Sequence, residues 1–246
     1  MNKNLQKTLC ILLALVTLLS LAACGKEKRA KNAPLTPMTK PPATPKPVRN
    51  TMTFGHYEQD NDLTNGVEPI EWIILETEAD GTLLLMSRYA LDCNPYNTAL
   101  LPVAWKTCTL RAWLNDRFYS TAFGEEEQTK ILTTLVPTEE TPHYMAIGEY
   151  ATADKVWLLS MDEADRYFSE DAVMLCIPTS FALSRGANQS EEYALNGVPT
   201  CWWWLRSTGD DSNRASFIND FGVIGDFGNT VNYDHYTIRP VIRIQP

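Results

Sequence analysis

Apolar and polar positions along the chain change period several times, and each change predicts an element. In "EPIEWIILETEADGTLLLMSRYAL" an apolar strand around Glu71 to Thr77 and a second from Thr82 to Ser87 flank a turn at Ala79, Asp80 and Gly81, which reads as a hairpin. "TLRAWLNDRFYSTAF" then sets Leu110, Trp113, Leu114, Arg117 and Phe118 at helical spacing, with Thr107 or Thr109 as the N-cap. "GEEEQTKIL" predicts a short second helix whose acidic first turn suits the helix dipole. "DKVWLLSMDEADRYF" predicts a strand, Lys155 to Leu159, and a helix entered through a capping box of Ser160 and Glu163.

Beyond Cys201 the period shortens to two. "WWWLRS", "ASFIND", "GVIGDF" and "YTIRPVIRI" are strand-like runs separated by Gly, Asp and Asn, as in an antiparallel sheet with tight turns. In the last run Ile238, Ile242 and Ile244 share one face and Arg239, Val241 and Arg243 the other, while Pro240 points to a sheet edge. Strands, helical segments and then a cluster of strands make the expected fold class α+β.

The N-terminus follows a different logic. "MNKNLQKTLCILLALVTLLSLAAC" has Lys3 and Lys7 ahead of an apolar run from Leu9 to Leu21 and then small residues, the pattern of an export signal. The run is shorter than the roughly 20 residues of a membrane-spanning helix. Its end, "LAAC", resembles the bacterial lipobox, which implies a signal peptide over 1–23, cleavage before Cys24 and lipidation of that thiol; an ordinary signal cut nearby without lipid is the alternative. Residues 24–50, rich in Pro, Lys and small polar residues, read as a tether extending about 3 Å per residue. From Gly25 to Asn50 there are seven basic residues and one acidic, whereas Thr51 to Pro246 carries twelve basic and 29 acidic. A basic tether suits an anionic envelope surface, and an acidic domain, 51–246, argues against nucleic acid. The expected location is the outer face of a bacterial cell membrane, with membrane lipid as partner through the N-terminal anchor.

The stretch "CWWWLRSTGDD" concentrates the candidate chemistry. On a strand Trp202 and Trp204 point one way and Trp203 the other, with Arg206 on the face of Trp202 and Trp204. One face packs into the core and the other contributes to a groove or to a second layer; on the groove reading Trp203, Arg206, Asp210, Asp211, Asp220 and Arg239 are the candidate binding residues. Arg206 has Asp210, Asp211 or Asp220 as possible partners, and a buried arginine held by carboxylates serves structure as often as binding. Asp210, Asp211, Asn213, Asn219, Asp220, Asp226, Asn229, Asn232 and Asp234 are oxygen donors of the type calcium takes from loops, and also ordinary turn formers. No cofactor is expected, with calcium as the alternative. Adjacent Asp210 and Asp211 do not face each other across a bond as glycosidase carboxylates do, and Ser207, Asp234 and His235 lack a nucleophile elbow. His56, His143 and His235 have no metal spacing. No catalytic residue is assigned.

"TFGHYEQD", "IEWIIL", "LRAWLNDRFYSTAF", "VWLLSMDEA", "WWLRS" and "IRPVIRI" occur in an order that resembles the bacterial secreted proteins grouped as domain of unknown function 6273, a resemblance that implies no activity. The tryptophan-arginine strand, the Gly/Asp-rich hairpin and the terminal arginine strand also resemble, in arrangement, the end of C-type-lectin-like folds, including the formylglycine-generating enzymes. That likeness implies a C-type-lectin-like domain, but fold alone does not imply function. The lectins' Glu-Pro-Asn and Trp-Asn-Asp motifs are not in place here, and the enzymes' copper-binding cysteine pair is not matched residue by residue. In an exported domain Cys93, Cys108, Cys176 and Cys201 are candidate disulfides, with Cys93 to Cys108 and Cys176 to Cys201 the local pairing and free buried thiols the alternative. The expected function is a surface lipoprotein whose domain binds an extracellular ligand without chemistry. A carbohydrate or cell-envelope glycan is the first choice, a protein-adhesion module the second and a formylglycine-generating-type enzyme the third.

Overall fold

The computed structural model describes residues 50–137, 151–168 and 174–246, all within the compact unit Thr44–Pro246. The expected signal peptide, Cys24 and nearly all of the tether lie outside the described residues. In chain order the strands are β1 (Thr51–Tyr57), β2 (Glu68–Thr77), β3 (Leu83–Ser87), β4 (Asp92–Cys93), β5 (Thr134–Val136), β6 (Thr152–Asp154) and β7 (Val156–Trp157). They continue with β8 (Gln189–Leu195), β9 (Val198–Cys201), β10 (Trp203–Thr208), β11 (Arg214–Ile218), β12 (Ile224–Thr230), β13 (Thr237–Ile238) and β14 (Val241–Ile244). Two five-stranded sheets carry the fold, ordered β1-β2-β3-β14-β7 and β12-β11-β10-β13-β4. Every pairing in the first is antiparallel, and in the second only β10 and β13 run parallel. Short helices between the sheets' strands make the class α+β, as the succession of periods predicts.

The β2–β3 hairpin forms where expected. Asp80 Oδ1 accepts the Thr82 N–H at 2.9 Å and Gly81 takes a positive φ of 88°, so the turn closes without a Cβ clash. Trp72, Leu85 and Met86 are fully buried, and the Trp72 indole N–H donates to the Phe54 carbonyl at 2.6 Å. Strand β1, not anticipated from the sequence, covers the outer edge of β2.

The long helical segment is α-helical over Thr109–Trp113, widens to a π-turn over Leu114–Phe118 and returns to α-helix over Tyr119–Ala122. Leu110, Leu114, Phe118 and Ala122 make its buried stripe. The cap is neither Thr107 nor Thr109 but Cys108, whose sulfur accepts the Arg111 N–H at 3.4 Å, while Thr109 Oγ1 is engaged by the Thr98 N–H. The Asn115 amide stitches the π-turn to β7, accepting from Lys155 N and Val156 N and donating to Val156 O. The second helix spans Glu125–Lys130. The capping box is present in both halves, with Ser160 N donating to Glu163 Oε2 at 3.1 Å and Glu163 N donating to Ser160 Oγ at 3.0 Å.

The terminal run corrects one expectation. Pro240 is not on an edge strand: β13 lies between β10 and β4, and β14 lies between β3 and β7. Arg239 and Pro240 are where the chain passes from one sheet to the other, so the missing proline N–H removes no ladder bond, while the Pro240 carbonyl accepts from Ser87 N at 2.9 Å.

Candidate functional site

The tryptophan strand is interior. β10 is the middle strand of its sheet and both of its faces are covered, so Trp203 and Trp204 are 0% exposed and only Trp202 is partly open. The Trp203 N–H donates to Met174 O at 2.9 Å and the Trp204 N–H to Asn94 O at 3.1 Å. Arg206 is buried and pairs with Glu163, not with Asp210, Asp211 or Asp220. It also donates to Leu158 O at 3.0 Å and Pro137 O at 3.2 Å. Arg239 is 1% exposed, donates to Ser87 O, and lays its guanidinium 4.8 Å from the Trp203 ring centre. Trp203, Arg206 and Arg239 therefore present no surface to a ligand, and of the two alternatives for the outer face of the strand it is the second layer, not the groove, that is present.

The candidate acids are dispersed. Asp210 faces Arg214 at 3.6 Å, Asp211 Oδ1 accepts the Ser212 N–H, and Asp220 is buried and accepts the Ser190 hydroxyl at 2.6 Å. Asn219 Oδ1 accepts from Phe221 N and Val223 N, closing the turn ahead of β12. Asp210, Asp211 and Asn219 serve their own turns, and Asp220 ties its turn to β8. Cys93, Cys108, Cys176 and Cys201 are all buried free thiols, so neither expected disulfide is formed. Cys93 donates to Asp234 O and Cys108 to Trp105 O, in separate parts of the core. Cys176 and Cys201 are bridged by a backbone bond from Cys201 N to Cys176 O at 2.9 Å.

What the fold brings together instead is a cleft of about 460 Å³ assembled from four separated segments. The end of β1 gives Tyr57 and Glu58, and the following loop overhangs it with the exposed apolar side chains of Leu63 and Val67. β4 contributes Asp92, the π-turn segment contributes Trp113, Arg117, Phe118 and Thr121, and the short helix Ser180–Ser184 with its cap contributes Phe181 and Arg185. The cleft thus has an aromatic floor and two guanidinium groups at its mouth.

Its polar centre is ordered. The Tyr57 hydroxyl donates to Asp92 Oδ2 at 2.6 Å, the Cys93 N–H donates to Asp92 Oδ1 at 2.7 Å, and Arg185 Nε stands 3.7 Å from the same oxygen. Burial raises the Asp92 carboxyl above its ordinary value, although the Tyr57 hydroxyl, the Cys93 N–H and Arg185 all act the other way. Burial, with the Asp92 charge adding to it, also pushes the Tyr57 phenol up. The neighbouring Cys93 thiol is pushed up to about 12 by burial and by the carboxylates beside it.

At the rim, oxygens of Glu58, Asp60 and Glu68 lie within 4.8 Å of one another, a convergence that the acids of the 210–234 region do not make among the described residues. Burial and the two neighbouring charges raise the Glu58 carboxyl, against the Asn61 N–H that lowers it.

None of these cleft residues was singled out from the sequence, because no short motif holds them. The available signal was "EQDNDLTNGVE", where carboxylates stand at 58, 60 and 62 and again at 68 in a turn-rich loop. A family model described as "Domain of unknown function (DUF6273)" matches residues 80–246. The matched span includes Asp92, Trp113, Arg117, Phe118, Phe181 and Arg185, while Tyr57 and the three rim carboxylates precede it. No curated protein and no solved structure gives a significant match.

Proposed function

The chain belongs to the domain of unknown function 6273 family, and from that premise we propose that it is a lipid-anchored surface protein of the bacterial cell membrane whose domain binds an extracellular glycan without chemistry. The anchor rests on the export signal and the Cys24 lipobox. The binding reading rests on one observation, the composition of the cleft. Its volume falls in the range of small-ligand sites, about 300–1,000 Å³. Trp113 and Phe181 are partly exposed rings able to stack on the C–H face of a sugar, and the exposed Arg117, Arg185 and Thr121 stand around them to meet hydroxyls or an acidic substituent, with buried Asp92 holding Arg185. Among the described residues the lining includes no serine or histidine, and the nearby Cys93 thiol is pushed up by burial and engaged with a carbonyl, which disfavours a serine or thiolate nucleophile in the cleft.

The finer architectural reading, a C-type-lectin-like domain, is part of the same proposal. It draws support from the antiparallel pairing and from the return of the last strand, β14, into the sheet that holds β1.

The test is binding of the full-length chain in detergent to a panel of cell-wall and host glycans, comparing wild type with Trp113→Ala and Arg185→Ala. Binding that falls at least tenfold in either variant, with unchanged circular dichroism, supports the reading. Equal binding by all three proteins removes the cleft from it, and binding to no glycan removes the ligand class. A second reading, protein adhesion, is favoured by a different surface: Tyr193, Phe221, Val223 and Phe227 are exposed together, with the Tyr193 and Phe221 rings 5.2 Å apart. A partner captured by the wild type and lost in a Tyr193→Ser, Phe221→Ser double variant would support that alternative.

A further inference from the structure

We propose that Glu58, Asp60 and Glu68 form a divalent-cation site suited to calcium, which pins the loop between β1 and β2 at the rim of the cleft. The site stands on its own geometry, whatever ligand the cleft takes.

Three carboxylates, each offering one oxygen, converge within 4.8 Å. Acidic residues gather on many surfaces without an ion; here the buried member, Glu58, meets the Asn61 N–H and still leaves one oxygen without a donor. Glu58 is 7% exposed, and its Oε1 is enclosed with no hydrogen-bond partner among the described residues. A buried carboxylate oxygen with no donor is costly, and an ion held between Glu58 and its two neighbours would satisfy it. Among the described residues no arginine or lysine stands within 4.0 Å of any of the three carboxylates to do so instead.

The neighbours are already oriented. Asp60 accepts from Asp62 N and Asn65 Nδ2, both at 2.8 Å, and Glu68 Oε2 accepts from Gln59 N at 2.7 Å. Asp60 and Glu68 are thereby held in place beside Glu58 despite like charge. Asp60 is exposed, which gives an ion its way in and leaves room for water to complete the coordination shell.

Carboxylate oxygens select a hard cation, and tolerance of irregular geometry selects among hard cations. Calcium–oxygen bonds of about 2.3–2.6 Å put opposite ligands about 4.6–5.2 Å apart, whereas magnesium, at about 2.0–2.1 Å, holds them about 4.0–4.2 Å apart in a rigid octahedron. Three oxygens that lie within 4.8 Å of one another on a surface loop, outside any rigid cage, suit the ion with the more tolerant coordination shell.

The experiment is calorimetric titration of calcium chloride into the chelator-stripped full-length chain, with thermal unfolding followed in parallel. One saturable site per chain is expected, in or below the range of about 10⁻⁴–10⁻³ M typical of extracellular calcium modules. Binding should raise the unfolding midpoint, with magnesium at least tenfold weaker. Glu58→Gln should weaken calcium at least tenfold. If that buried variant does not fold, Asp60→Asn, at an exposed position, carries the same expectation. No saturable binding up to about 10 mM, tenfold above the usual range, would overturn the site. So would weak multi-site heat unchanged in a folded Glu58→Gln or Asp60→Asn protein, since that is the general attraction of an acidic surface.

Discussion

Arg206→Met keeps the apolar stem of the side chain on β10 and removes only the guanidinium. In the native protein that group makes a two-oxygen contact with Glu163 and donates to the carbonyls of Leu158 and Pro137. Breaking one side of a buried ion pair costs about 3–5 kcal/mol, and an orphaned buried carbonyl alone accounts for about 1–3 kcal/mol. The Glu163 side chain is 26% exposed and can turn toward water, which places the expected loss at the lower end, about 3–4 kcal/mol. For a domain of this size each kcal/mol lowers the midpoint by about 2–4 °C, so thermal unfolding should occur about 6–16 °C lower. The assay is urea and thermal unfolding of both proteins followed by circular dichroism, with glycan binding measured below the transition. A variant within about 1 kcal/mol of wild type that has nevertheless lost binding would refute the structural role and restore Arg206 as a ligand clamp.

Three other outcomes follow from the structure. Gly55 has a φ of 71°, and an added Cβ would sit 2.6 Å from the Phe123 ring and 2.7 Å from the Ala122 carbonyl; Gly55→Ala should therefore cost about 2–4 kcal/mol by urea denaturation, from left-handed strain and overpacking together. Because Asp92 holds its proton more tightly folded than unfolded, it makes stability fall as pH rises from about 4 through its raised native value; Asp92→Asn should flatten that part of the pH–stability curve, and an unchanged curve would exclude Asp92 as its source. Cys93 and Cys108 are buried thiols pushed up to about 12, so iodoacetamide at neutral pH should label them, by peptide mass spectrometry, only after unfolding.

Local chemistry carried the sequence reading a long way. The Asp80–Gly81 turn, the buried stripe from Leu110 to Phe118 and the Ser160–Glu163 box each depend on residues a few positions apart, and each formed as predicted. What depended on distant partners was not legible. Glu163 reads as a capping residue, yet it also holds Arg206 from 43 positions away. Pro240 reads as an edge marker because nothing local reveals that the chain changes sheets there. The tryptophan strand shows why periodicity misleads at a covered central strand: alternation separates two faces but does not say which of them is dry. The cleft was hidden for a related reason, since Tyr57, Asp92, Trp113 and Arg185 meet only after both sheets and the helical segment have packed.

The sheet change at Arg239–Pro240 also bears on when the protein can fold. β13 fills an interior position in one sheet and β14 an interior position in the other, so both sheets wait for residues 237–244 to be in place. A nascent chain still inside the ribosome has open ladders in each half and no stable stopping point between unfolded and complete. Long-range pairings of this kind close slowly. Under the proposed export, such lateness would keep the chain threadable until residues 237–244 emerge.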